Sequence, residues 1–172
     1  MDIYKTLILR GNRALATSLT ELNLVSANDL ALANERLVRI LQSGDYAHAS
    51  ILRILIYEMN VLQENAVLEK TKYPLIDLKN MELPSPEKFG FDIKLCEATG
   101  CIPFHNEDSF YFFATIHSLS SPFVDYWNDS IQGNILWYST DLDSFYQTLE
   151  NAEKSANVET ENNEKKAHSI EL

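Results

Sequence analysis

The amino-acid sequence predicts an α/β protein of the α+β type, in which a helical N-terminal half precedes a small unit of strands and helices. In the first half, apolar residues recur at intervals of three and four, the period of a helix that buries one face. In the second half, runs of aromatic and β-branched residues favour strands. A ten-residue pattern occurs twice in the first half, at residues 21–30 (ELNLVSANDL) and 58–67 (EMNVLQENAV).

Both copies of this pattern have an acid, an apolar residue, Asn, two apolar residues, two variable residues, Asn, one further variable residue and a final apolar residue. We interpret each copy as the end of one helix, a turn and the start of the next helix. Asn23 and Asn60 are then the structural turn residues, because Asn adopts the left-handed conformation that follows many helices. The first half is therefore predicted to contain two helix–turn–helix repeats.

The remaining boundaries of the helical half follow from capping residues. Ser26 and Asp29 resemble a capping box, with Asp in place of Glu, and they begin the second helix. Gly44 ends that helix at about residue 43. The apolar spacing then predicts a third helix over residues 45–59 and a shorter fourth helix over residues 63–70.

The second half begins with an extended connector, which three prolines indicate: Pro74, Pro84 and Pro86. A short helix is predicted over residues 91–99, ending at a glycine. Residues 102–104 and 110–116 are predicted to form a β-hairpin around a polar turn at residues 105–109.

After the hairpin, Ser121 and Pro122 are suitable first residues for a helix that should extend to residue 132, where a glycine follows. A short strand over residues 135–138 comes next, and Thr140 and Asp141 precede a final amphipathic helix. The predicted order of the second half is therefore α-β-β-α-β-α.

These patterns divide the chain into a helical repeat subdomain at residues 1–72 and a sheet-and-helix subdomain at residues 73–156. Residues 157–172 are polar, lack aromatic residues and are rich in Glu, Asn and Lys. Such a segment buries too little apolar surface to offset its ordering entropy, so we predict a disordered acidic tail.

Composition argues against several classes of function. The net charge is −11, with 25 acidic and 14 basic residues, which disfavours nucleic acid as a partner. No run approaches the roughly 20 apolar residues of a membrane span, so we expect no direct membrane insertion. The N-terminus does not resemble a secretory signal, and Cys96 and Cys101 form no CxxC motif. We therefore expect a soluble, cytoplasmic protein with reduced thiols, without a metal or a cofactor.

Two short motifs carry a resemblance to a known family. Residues 74–78 (PLIDL) are similar to a "PxxDL" segment, and residues 102–104 (IPF) are similar to an "xPF" element. Together with the preceding repeats, the chain from about Thr6 to Ala156 resembles the N-terminal domain of the assembly ATPases of type II secretion and type IV pili. In that family the turn residue of each repeat is Gly, which Asn23 and Asn60 replace here.

The resemblance implies a domain that links a cytosolic ATPase to other components of a bacterial machine. The chain has no GxxxxGK[ST] motif, so the motor itself is absent. Some relatives bind cyclic di-GMP through Arg-Leu-Gly and Gln. The corresponding positions here hold residues 14–16 (ALA), residues 51–53 (ILR), Leu37 and Pro74. A nucleotide-sensing domain with altered ligand residues remains the alternative function.

No pattern of catalytic residues is recognisable. His105, Glu107 and Asp108 fall in the predicted turn without a nucleophile, and the isolated His48 and His117 are expected to be structural. We therefore predict that the protein is not an enzyme.

The strongest candidates for partner binding are aromatic residues of the hairpin and of the following helix. Consecutive strand residues face opposite sides of a sheet, so some of these rings should leave the helix-covered face. The candidates are Phe110, Tyr111, Phe112, Phe113, Tyr126 and Trp127.

These observations lead us to expect a non-catalytic protein–protein interaction module, an adaptor or regulator of a bacterial secretion or type IV pilus machine. Its partner would be a protein component of that machine, and the ATPase is one candidate.

Overall fold

A computed structural model describes residues 2–170, without the side chains of residues 156, 159–160 and 167–170. The fold is α+β, as predicted. The helices are α1 (Ile3–Glu21), α2 (Ala27–Ser43), α3 (Ile51–Arg53), α4 (Glu64–Leu68), α5 (Ile93–Thr99), α6 (Ser121–Ser130) and α7 (Leu142–Ile170). The strands are β1 (Cys101–Glu107), β2 (Phe110–Thr115) and β3 (Ile135–Ser139).

Both repeat turns have the predicted geometry. Asn23 and Asn60 lie in the left-handed region, with φ of 56° and 54°. The helix that follows each turn is preceded by the equivalent residue of the repeat, Ser26 before α2 and Gln63 before α4. The interpretation of the two asparagines as structural turn residues is therefore confirmed.

The predicted third helix over residues 45–59 is wrong in its first part. Tyr46–His48 forms a single 3₁₀ turn, and the helix begins only at Ile51 before it widens into a π-helical turn at Ile54–Glu58. The cause is a buried side chain of α1. Asn12 donates from Nδ2 to the Ala49 carbonyl (3.2 Å) and accepts from the Ile51 N–H (2.8 Å). These backbone groups therefore bond to α1 and do not extend a helix.

The three strands form one sheet in the order β1-β2-β3, antiparallel between the first pair and parallel between the second. The hairpin turn is shorter than predicted, because β1 extends to Glu107, which pairs with Phe110. The turn is thus Asp108-Ser109, and Asp108 has a positive φ of 55°, which Asp tolerates better than most residues.

The buried core includes residues from both halves of the chain. Helix α1 packs against α5 and α6, and the ring of Phe123 on α6 lies against Gly11 of α1. Two hydroxyl groups form hydrogen bonds between the two halves of the chain. Ser120 Oγ donates to the Gly11 carbonyl (2.7 Å), and Ser18 Oγ donates to the Leu119 carbonyl (2.8 Å). The division at residue 72 stays a prediction, and the two parts share one hydrophobic cluster.

The tail differs from the prediction of disorder. Helix α7 continues to Ile170, while residues 171–172 lie outside the described part of the chain. The first turns of α7 are anchored by buried side chains such as Phe145 and Leu149. Extending an existing helix costs less than nucleating one, and Ala, Glu and Lys have high helix propensity. The polar segment therefore continues the helix although residues 161–166 are exposed.

Candidate interaction surface

The aromatic residues of β2 alternate between the two faces of the sheet. Phe113 faces the helices, where its ring centroid lies 4.9 Å from that of Trp127 on α6. Tyr111 faces the same side and contacts the ring of Phe91 (5.2 Å). Phe112 faces the opposite side, which we call the outer face. The alternation expected from the strand period is thus present.

Two of the predicted partner-binding residues belong to the core. Phe113 and Trp127 are almost completely buried, and Trp127 donates from Nε1 to Oγ1 of Thr99 (3.0 Å). A partner cannot reach them without unfolding the domain, so the prediction is wrong for these two residues. Tyr111 and Tyr126 are half-buried and pack on neighbouring rings, which leaves little of either for a partner.

The outer face carries an aromatic cluster. The ring of Phe104 lies 6.1 Å from Phe112 and 5.5 Å from Tyr138 on β3. Leu136, paired in register with Phe112, is 45% exposed, and Phe110 at the hairpin end is 46% exposed. Exposed apolar residues beside a partly covered aromatic cluster are typical of an interaction surface.

A groove of about 570 Å³ crosses this face. It is lined by Met81, Leu83 and Pro84 of the connector and by Phe104, Phe112 and Tyr138 of the sheet.

Sequence reasoning missed Leu136 and Met81. The spacing of Leu136 and Tyr138 within one strand was a usable signal. The position of Met81 could not be predicted from the sequence, because it depends on how the connector folds back over the sheet.

Acidic side chains flank the groove. Glu82 lines it directly, and at the hairpin end Glu107 lies 3.7 Å from Nε2 of His105. His105 in turn packs on Phe112, with ring centroids 5.1 Å apart. Both His105 and Glu107 are largely exposed, so this contact is solvated.

The buried histidine forms a structural hydrogen-bond network. His117 Nδ1 lies 2.8 Å from the Thr99 carbonyl oxygen, so it donates there, and Nε2 accepts from Oγ of Ser50 (2.8 Å). Burial lowers the pKa of His117 to about 4, which keeps the ring neutral. The Ser–His pair resembles a nucleophile with its base, but both residues are buried, which leaves no access for a substrate. The expected structural role of His117 fits these contacts.

Both cysteines are also buried, as free thiols. Burial raises the pKa of Cys101 to about 12 and raises that of Cys96 well above its usual value. Neither thiol is therefore a reactive thiolate.

Of the eight positions that correspond to nucleotide ligands, four lie inside the protein. Leu15, Leu37, Ile51 and Leu52 are all buried and contribute to the core. Side chains at these four positions have no path to a bound dinucleotide, whereas Pro74 is exposed and Ala14 lines a surface pocket together with Lys70 and Lys72.

The fold and this surface define an α+β domain with an exposed apolar sheet face. Neither the known protein-family models nor the curated proteins yield a match to this sequence. Within residues 2–170, every helix is too short or too polar to span a bilayer.

Proposed function

We propose that this protein is a non-catalytic protein–protein interaction module, a cytoplasmic adaptor or regulator of a bacterial secretion or type IV pilus machine. The observation that carries the proposal is the apolar outer face of the sheet, where Phe110 and Leu136 are nearly half exposed beside Phe112 and Tyr138. The sheet face next to the helices is buried in the core, so the outer face is the side that can bind a partner.

The chemistry of this face suits binding. Aromatic side chains dominate the energetics of many protein interfaces, and each Å² of apolar surface removed from water contributes about 25 cal/mol. The net charge of −11 attracts a partner of opposite charge but gives little affinity alone. Apolar anchors on the outer face would provide that affinity.

The resemblance to the assembly-ATPase domain supports the cellular setting. The two motifs that carry it lie at or beside the outer face. Ile76 and Phe104 line the groove, and Leu75, which is exposed, pairs with Ser139 at the edge of β3. In the proposed role, the segments that resemble the family also form the binding surface.

Pairwise binding to the cytosolic ATPases and other components of secretion and pilus machines tests the proposal. Purified protein should bind at least one component, and Leu136→Asp should abolish that binding while the melting temperature stays high. Leu32→Asp is the matched control, because Leu32 is 51% exposed on α2. Absence of binding to every component, or stoichiometric micromolar binding of cyclic di-GMP, would contradict the proposal.

A further inference from the structure

We infer that the groove on the outer face binds a cationic amphipathic segment of a partner protein, whose apolar side chains enter between the connector and the sheet while its Lys or Arg residues meet Glu82 and Glu107. This inference rests on the proposed interaction function and specifies the chemistry of the partner.

The lining of the groove indicates the apolar part of the partner. Met81, Leu83 and Pro84 of the connector and the aromatic rings of Phe104 and Phe112 all line it. Met81 is 42% exposed, so it offers a flexible apolar surface to an incoming side chain. Apolar side chains that entered this groove would contact an apolar and aromatic lining.

The charges around the groove indicate the cationic part. Glu82 is an acidic lining residue, and among the described residues that line the groove there is no Lys or Arg. Glu107 and Asp108 add negative charge where β1 ends. A basic partner gains favourable electrostatics here, whereas a second copy of this chain would bring the same acidic groups together.

Side-chain docking fits this surface better than addition of a strand. On the β1 edge, Pro103 has no N–H to donate, and the register shifts between Pro103 and His105. On the β3 edge, Ser139 already bonds to the connector, accepting from the Ile76 N–H and donating to the Pro74 carbonyl (2.9 Å each). At each edge, therefore, some of the backbone groups that an added strand would need are missing or already bonded.

A defined peptide probe tests the inference without knowledge of the natural partner. Fluorescence anisotropy is measured with a short labelled peptide of alternating lysine and leucine, whose leucines share one face when it is extended. Two comparison peptides replace leucine with serine or lysine with glutamate. The lysine–leucine peptide should bind the full chain at least about tenfold more tightly than either comparison peptide.

Variants then locate the binding. Met81→Ser should raise the Kd of the lysine–leucine peptide about fivefold or more, and Glu82→Gln about threefold. The matched controls are Leu32→Ser and Glu35→Gln, which change exposed residues of α2 in the same chemical way and should shift the Kd less than about twofold.

Three results would overturn the inference: equal effects of the groove and control variants, equal binding of the lysine and glutamate peptides, or a dimer that Met81→Ser dissociates in sedimentation. The last result would identify a second copy as the occupant. Failure to bind any secretion or pilus component would contradict only the proposed function, because the peptide measurement does not depend on that machine.

Discussion

Ser50 and His117, which are far apart in sequence, are joined by a buried hydrogen bond of 2.8 Å between Oγ and Nε2. Ser50 also precedes α3 as its N-terminal capping residue, accepting from the Arg53 N–H, and His117 follows β2. The bond therefore connects the helical half to the sheet. Burial keeps the imidazole neutral, and since Nδ1 donates to the Thr99 carbonyl, Nε2 accepts from the Ser50 hydroxyl.

The neutral state of His117 predicts a loss of stability in acid. The pKa is about 4 in the folded protein and about 6.5 in an unfolded chain, so the unfolded state binds more protons between these values. The stability from this residue is present above pH 6.5 and is lost as the pH falls towards 4, by about 2 kcal/mol at pH 5.

Urea titrations at pH 7 and pH 5 measure this loss. His117→Gln should be less stable than the wild type at pH 7 but should lose less stability between the two values. An unchanged pH dependence in the variant would show that His117 does not titrate on unfolding.

The contact between Gly11 and Phe123 predicts a strong effect of one methyl group. A Cβ at position 11 would lie 2.1 Å from Cζ of the Phe123 ring, which is buried and cannot move freely. Gly11→Ala should therefore destabilise the protein by about 1–3 kcal/mol or more through overpacking.

A double-mutant cycle with Phe123→Leu tests the cause of that destabilisation. The smaller side chain makes room for the methyl group, so the double variant should be more stable than the sum of the single effects predicts. Simple additivity would mean that the two residues do not interact as the structure indicates.

The repeat turns predict a contrast between two substitutions. At Asn23 or Asn60, Gly should be neutral or mildly stabilising, because Gly adopts a positive φ without steric cost. Val should cost roughly 1–2 kcal/mol, because its branched Cβ clashes in that conformation. Equal thermal stability of the Gly and Val variants would argue against left-handed turns.

A carboxyl group between α5 and α7 predicts a loss of stability as the pH rises from 4.5 to about 8. Burial, with Glu153 beside it, raises the pKa of Glu97 to about 8, and Asp45 adds to this effect while Lys94 opposes it. The folded state therefore holds a proton that the unfolded state has released above pH 4.5, so the contribution of Glu97 is lost as the pH rises through 8.

Glu97→Gln should accordingly raise the melting temperature at pH 8–9 and change it little near pH 5. Glu150→Gln is the control, since Glu150 is exposed and pairs with Lys154 (2.9 Å). A uniform shift at all pH values would indicate a packing effect unrelated to the proton.

Features that depend on neighbouring residues were predictable from the sequence. The left-handed turns at Asn23 and Asn60 follow from local backbone preference, and so does the cap at Ser26. The late start of α3, at Ile51 and not at residue 45, was not predictable. It depends on Asn12, whose amide bonds to Ala49 and Ile51 across the interior, and sequence spacing does not reveal such a contact.

The candidate surface also combines features set by residues close in sequence with features set by contacts between distant segments. By itself the sequence determined that the rings of β2 alternate, because successive strand residues point to opposite sides. Only the tertiary structure decided that Phe113 is buried under α6 while Phe112 lies beside a groove, because covering a face depends on where the helices and the connector pack. Helix, strand and turn thus follow from short-range preferences. Exposure of the outer face follows from contacts between segments distant in the chain, which local preferences do not specify.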